Sequence, residues 1–197
     1  AAGNYTLTGV NTTTADITAF EITGSFKAKN KVYDGTKEAT ITERSVTPLA
    51  ADAGKLELTG GTASFDNAKV STGKTVMATG MSLSGEAAGN YTLTGVNTST
   101  ADITALEITG SFKADNKKYD GTEAATIVDR IVTPLPADAG KLKLTGGTAS
   151  FADANAETGK TVTGTGMSLS GEAAGNYTLT GVNTTTADIT AFEITGS

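Results

Sequence analysis

The chain has 197 residues and contains no cysteine, no histidine and no tryptophan, with only three prolines. Without cysteine there is neither a disulfide framework nor a thiolate-held metal centre. Without histidine the commonest general base and the commonest nitrogen ligand for a metal are both missing. Aromatic residues are few, five Tyr and six Phe, so the core is expected to be thin. Basic residues are short too: 15 Lys and Arg against 21 Asp and Glu leave a net charge of −6. That balance argues against nucleic acid, whose phosphates call for clustered Lys and Arg. No apolar run reaches transmembrane length and no signal or anchoring motif is visible, so export signals are expected outside this stretch and no membrane contact within it. Glycine (24 copies) and threonine are plentiful. Both are poor helix formers, and threonine suits half-buried strands.

The phrase Ala-Gly-Asn-Tyr-Thr-Leu-Thr-Gly-Val-Asn occurs three times, with its tyrosine at Tyr5, Tyr91 and Tyr177, a spacing of 86 residues. Residues 24–109 align without a gap to 110–195, and 68 of the 86 positions are identical. A period of that length is a whole small domain and not a solenoid rung. Residues 1–25 and 173–197 are identical as well. The expected division is 1–23 as the closing part of a preceding repeat, 24–109 as a complete repeat, and 110–197 as a second repeat plus the opening of a third. The leading stretch is expected to pack on the first repeat, pair with a neighbour, or hang free.

The 18 differences between copies exchange mainly charged and small residues, among them Lys29/Asp115, Lys37/Glu123, Glu57/Lys143, Asp66/Ala152 and Ser71/Glu157. Such exchanges are cheap on a solvated surface and costly in a core. The clusters at 37–45 and 66–78 are therefore expected to face solvent. Residues that recur unchanged form the expected core: Phe26, Tyr33, Ile41, Leu49, Leu56, Leu58, Phe65, Val76, Leu83, Tyr91, Leu93, Ile103 and Ile108.

Alternating stretches such as Tyr91-Thr-Leu93-Thr, Leu56-Glu-Leu58 and Met81-Ser-Leu83-Ser have the period of half-buried strands. Asp34-Gly35 signals a turn. Gly60-Gly61 and Thr79-Gly80 are read as strand ends, and Thr47–Gly54 as the one place for a helical turn. Strands of five to seven residues with frequent turn residues predict an all-β chain of tandem, small, elongated antiparallel β-sandwich-like domains. Between Ala101–Thr109 and Gly110 there is no Gly/Ser or proline-rich spacer of the kind a flexible linker has. Short, stiff junctions and a rod are expected.

Chemical motifs are weak. Ala68–Thr75 and Ala154–Thr161 loosely match a phosphate-binding loop, but Val76 and Val162 continue as strand where a helix is required. Ser71-Thr-Gly-Lys74 spells Ser-x-x-Lys, yet Glu157 replaces the serine in the second copy. Carboxylates such as Asp16, Asp34, Asp52 and Glu86 are scattered, with no calcium-loop spacing. A calcium at the junction would draw on Asp102 or Glu107, and a Lys–Asn isopeptide bond on Lys27 and Asn30. Asn4-Tyr-Thr6 matches a glycosylation sequon that a threonine-rich chain produces by chance. No catalytic residue, cofactor site or metal site is assigned.

Lys31-Val-Tyr33-Asp34-Gly35-Thr36, Gly73-Lys-Thr-Val76 and Leu83-Ser-Gly-Glu-Ala-Ala-Gly-Asn-Tyr91-Thr-Leu93, in that order, resemble the YDG/MBG-type repeat of large bacterial surface adhesins, filamentous-haemagglutinin-like and biofilm-matrix proteins. The resemblance covers each repeat nearly end to end. It implies a non-enzymatic, β-rich stalk repeat at the bacterial cell surface, a structural extender that projects a distal adhesive domain. Its partners would be neighbouring repeats of the same chain, with a host or matrix ligand met by other domains of the parent and the fragment itself a monomer. The alternative is a repeat that binds a ligand such as a glycan weakly and gains avidity from its copies.

Overall fold

The computed structural model describes residues 2–196. Each repeat contributes eight strands. In the first they are β1 (Phe20–Ala28), β2 (Lys31–Val32), β3 (Glu38–Ala39), β4 (Ile41–Val46), β5 (Glu57–Phe65), β6 (Ser71–Ser84), β7 (Tyr91–Val96) and β8 (Ser99–Thr104). The second repeats the series as β9 (Leu106–Ala114), β10 (Lys117–Lys118), β11 (Ala124–Ala125), β12 (Ile127–Val132), β13 (Lys143–Phe151), β14 (Glu157–Ser170), β15 (Tyr177–Val182) and β16 (Thr185–Thr190). Strand period does the sorting. Along β1 the inward residues Ile22, Gly24 and Phe26 are buried while Glu21, Thr23 and Lys27 are exposed.

The strands of a repeat form a three-stranded sheet, β4-β1-β7, and a five-stranded sheet, β2-β8-β6-β5-β3; the second repeat matches with β12-β9-β15 and β10-β16-β14-β13-β11. The all-β, sandwich-like expectation is met. Antiparallel pairing holds for β1–β4, β3–β5, β5–β6 and β6–β8. To this the structure adds two parallel pairs, β1–β7 and β2–β8. A chain that leaves each repeat heading as it entered lays its first and last segments side by side in the same direction.

Phe26, Ala63, Phe65, Val76, Ala101 and Ile103 are buried together between the sheets of the first repeat. A smaller cluster of Ile22, Leu56, Ala87 and Tyr91 fills its other end. Of the thirteen expected core residues eight are buried; Ile41, Leu83, Leu93 and Ile108 are half-buried. Leu49 is half exposed, whereas its counterpart Leu135 is partly covered because another repeat lies against it.

Two local expectations are revised. Gly60-Gly61 and Thr79-Gly80 are not strand ends: they lie inside β5 and β6, where the ladder steps from Gly60↔Met81 to Thr62↔Thr79. Gly61 and Gly80 both have positive φ (77° and 72°). A Cβ on Gly61 would stand 2.5 Å from Met81 Cγ and 2.9 Å from the Thr79 carbonyl oxygen. The glycines kink the hairpin without ending it, which lets β6 run for 14 residues. The helical turn expected in Thr47–Gly54 forms as a 3-10 turn at Ala50–Asp52, but it is not the one place for such a turn, because Ala88–Asn90 makes another. Residues 5–19 form no strand, and Tyr5, Leu7, Val10 and Ile17 are exposed; among the described residues Tyr5–Val10 has no strand partner of the kind Tyr91–Val96 finds in β1. No helix among the described residues is long and apolar enough to cross a membrane.

Candidate functional site: the junction between repeats

The Tyr-Asp-Gly-Thr stretch is a loop with a different task for each residue. It joins β2 to β3, the two edge strands of the five-stranded sheet. The Lys31 ammonium bridges them. It donates to Asp34 Oδ1 (2.8 Å), the Thr36 carbonyl (2.9 Å), Thr36 Oγ1 (3.0 Å) and the Glu38 carbonyl (2.9 Å), and lies 5.6 Å from the centre of the Phe65 ring. Asp34 Oδ1 also accepts the Thr36 backbone N–H (2.8 Å), so one carboxylate both shapes the turn and holds the ammonium. Burial alone would raise the Asp34 pKa, but Lys31 and Thr36 outweigh it and hold the carboxyl below its ordinary range. Lys117, Asp120 and Thr122 repeat the arrangement, and there the Lys117 ammonium with the Thr122 N–H brings Asp120 down to about 2.

Tyr33 and Gly35 point out of their own repeat. Tyr33 Oη donates to Asp138 Oδ2 at 2.8 Å, and Tyr177 Oη donates to the same oxygen at 2.7 Å. The two rings meet edge to face, 5.6 Å between centres at 76°. Tyr177 Oη in turn accepts the Leu135 N–H (3.0 Å), which anchors the 3-10 turn Pro136–Asp138 beneath it. Asp138 is buried, as are both tyrosines. Burial, then the Asp138 carboxylate, pushes the Tyr33 hydroxyl up to about 12 and moves Tyr177 the same way. Beside this latch the Val70 N–H donates to Asn176 Oδ1 across the boundary (3.2 Å). Gly35 has φ +80°, and a Cβ there would stand 3.4 Å from the Ala137 methyl of the next repeat.

The covalent connection is as short as the packing is close. β8 ends at Thr104 and β9 begins at Leu106, so Ala105 alone separates the strands. Leu142, Ala173 and Tyr177 of the second repeat, the counterparts of Leu56, Ala87 and Tyr91, belong to one cluster with Phe65, Val76 and Ile103 of the first. The small end-cluster of one repeat is thus fused to the main core of its predecessor.

The buried lysine on β6 departs from the expected solvent face at 66–78. Lys74 is 7% exposed and bonds Asp66 Oδ1 (2.8 Å) and Asn67 Oδ1 (2.9 Å). In the second copy Asp66 becomes Ala152, but Asn67 becomes Asp153 and Ser71 becomes Glu157, and Lys160 pairs with both new carboxylates. Three exchanges that read as indifferent surface substitutions therefore replace one acid by two neighbouring ones and keep a buried ammonium paired. The signal was present in the sequence as an acid lost at one position and gained at its neighbours.

The remaining candidates do not converge. Thr72-Gly73-Lys74 is part of β6, with a bulge between Ser71 and Lys74, and no helix follows it. Lys27 pairs with Glu43 at the surface (2.8 Å), while Asn30 bonds Asp102, so the structure does not join Lys27 to Asn30. Asp102 accepts the Gly73 N–H (2.7 Å), and Glu107 is exposed. No group of three or more His, Cys, Asp or Glu side chains that could hold a metal is found among the described residues. The sequon asparagine Asn176 sits half-buried in the junction. Sequence reasoning placed Tyr33 in a core but missed that the core is shared, and it left Asp138 among scattered carboxylates.

The family model described as the YDG domain matches residues 13–101 and again 103–187. Neither the comparison with curated proteins nor that with solved structures returned a match.

Proposed function

From the premise that the chain belongs to the YDG domain family, and carries that domain twice, we propose that it is a structural extender segment of a bacterial cell-surface adhesin. Each repeat adds a fixed length to a stalk that carries a distal adhesive domain outward, and no catalysis is involved. The observation that carries this reading is the junction: one connecting residue, a shared apolar core and a buried Tyr–Asp–Tyr latch. A linker that let the domains swing would need exposed polar chain between them. Near-identical copies suit a spacer, which needs repetition more than a unique site.

For the glycan-binding alternative one cleft among the described residues stands out by its aromatic lining. The cleft lined by Tyr119, Gly121, Phe192 and Ile194 offers exposed aromatic surface. In the first repeat the corresponding Tyr33 and Gly35 are covered by the second repeat, so such a cleft closes wherever another repeat is docked. Small-angle X-ray scattering on chains of one, two and four repeats tests the extender. The maximum dimension is expected to grow linearly with repeat number. Growth closer to the square root of length, as flexible linkage produces, would sink the proposal and return attention to ligand binding.

A further inference from the structure

Within each repeat the first and last segments run side by side in the same direction, paired at both ends. Phe20–Gly24 pairs in parallel with Tyr91–Val96. After both segments cross from the three-stranded to the five-stranded sheet, Lys31–Val32 pairs in parallel with Ile103–Thr104. The gap between the two ladders is bridged as well. The Asn97 N–H donates to the Gly24 carbonyl (2.9 Å), and the Ala28 N–H to Ser99 Oγ (3.3 Å). Asn30 and Asp102 bond twice, through the Asp102 N–H to Asn30 Oδ1 (2.8 Å) and through Asn30 Nδ2 to Asp102 Oδ2 (3.3 Å). The Tyr33 N–H closes the series on the Thr104 carbonyl (2.8 Å). The second repeat builds the same seam from Leu106–Gly110 against Tyr177–Val182 and from Lys117–Lys118 against Ile189–Thr190, with Asn116 and Asp188 between.

Tension on a row of such repeats enters at the N-terminal end of β1 and leaves at the C-terminal end of β8, passing through Ala105 into β9. In a parallel pair those points lie at opposite ends of the ladder. The load then acts along the strands, and hydrogen bonds lying across it are strained together. An antiparallel hairpin pulled at its open end loses its bonds one after another. We propose that the paired first and last segments are a shear clamp that makes each repeat a load-bearing unit. This inference rests on the extender reading and adds to it resistance to unfolding under tension.

Single-molecule force spectroscopy on the full chain tests it, comparing two ways of holding the same protein. In one, the handles are at the two ends of the chain. In the other, they are at cysteines introduced by Glu57→Cys and Ser84→Cys, which face each other at the open end of the β5–β6 hairpin. The native chain has no cysteine, so these attachments are unique. End-to-end loading is expected to give two rupture events, one per repeat, at a force several-fold above that of the hairpin geometry. Asn30→Ala combined with Asn116→Ala is expected to lower the end-to-end force while the hairpin force stays unchanged, because forced unfolding follows the barrier and not the equilibrium stability. Equal forces in the two geometries, or an end-to-end force indifferent to the loss of both asparagines, would overturn the clamp. Neither outcome touches the growth of length with repeat number, so the clamp and the extender reading fail separately.

Discussion

Tyr33 and Tyr119 occupy the same place in the same Tyr-Asp-Gly loop, yet Tyr33 is 6% exposed and Tyr119 is 43% exposed. The two loops differ in their neighbours: a second repeat lies over Tyr33, while the face around Tyr119 is open. The molecule thus holds a paired experiment on what the junction is worth. At Tyr33 the ring meets Tyr177 and the hydroxyl meets a buried carboxylate; at Tyr119 the described residues supply neither contact. The same contrast holds at Gly35, where a Cβ would touch Ala137, and at Gly121, where it would meet nothing within 4 Å. The same residue is buried where a following repeat lies on it and exposed where, among the described residues, none does. The motif that names the family therefore serves the seam between domains at least as much as the domain itself.

The largest break in this comparison is Tyr33→Ala beside Tyr119→Ala. Removing a large buried aromatic costs about 3 kcal/mol, and here the loss falls on the coupling between repeats, because the ring spans the boundary. Tyr119→Ala is expected to change stability by no more than about 0.5 kcal/mol, as exposed substitutions do. Denaturant melts read both. The first variant should split one cooperative transition toward two, as expected when a nearest-neighbour interface weakens in a repeat array. Equal effects at the two positions would mean that the junction adds nothing beyond the tether.

Next in size is Asp138→Ala. It leaves two buried tyrosine hydroxyls without their acceptor, at about 1–3 kcal/mol for each unsatisfied group. Asp52→Ala, its counterpart in the first repeat, removes the acceptor of Tyr91 alone, at 2.8 Å and with Asp52 only half-buried. The second loss should be clearly smaller. Chemical denaturation of the two variants in parallel gives the difference directly, and a larger loss at Asp52 would remove the latch from the account of the junction.

How far the sequence revealed this depends on the type of interaction. Alternation exposed the strands, and the 86-residue spacing exposed the tandem plan, because both depend on residue type and local period alone. Phe26, Phe65, Val76 and Ile103 were legible as core because they recur unchanged in the second copy while charged and small residues around them are exchanged. The parallel pairing of β1 with β7 was not, since the two segments lie about 70 positions apart and nothing local marks their direction. Asp138 was hidden for a related reason: it is paired with a tyrosine 105 residues earlier in another copy of the domain. The kink at Gly61 was misread as a strand end because glycine looks the same at a bulge and at a turn.

The loop at 66–74 sharpens the comparison between copies at a smaller scale. Asp66→Ala alone should lower the stability of the first repeat, because the buried Lys74 keeps only a neutral amide partner. Adding Asn67→Asp recreates the Ala152-Asp153 arrangement of the second copy and should restore most of the loss. Thermal melts of the single and double variants check this. The effect should be smaller than that of Asp138→Ala, since Asp66 is half exposed and solvent screens its charge. A single variant as stable as the parent would mean that the relocated acid is a surface accident and the buried lysine needs no charged partner.

The smallest effect concerns Asp34 and Asp120. Both accept from a lysine three residues back and from a threonine two residues on. The two carboxylates are about equally exposed, 53% and 54%; desolvation opposes the ionised form at Asp34 but Lys31 and Thr36 outweigh it, and the Lys117 hydrogen bond leads at Asp120 and brings it from 3.8 to about 2. For both groups the folded-state pKa lies below the unfolded one. Their contribution to stability is therefore complete above about pH 4, the ordinary range of an aspartate, and is lost as the pH falls through the folded-state pKa. Carboxyl carbon shifts followed by NMR through acid should show both titrating below an ordinary aspartate. Covering Tyr119 with a further repeat should leave Asp120 low, because the repeat over Tyr33 leaves Asp34 as exposed as Asp120 and the lysine cage is the same in both loops. If Asp120 rises to an ordinary aspartate value with a repeat docked over it, the seam and not the cage sets the titration of this loop.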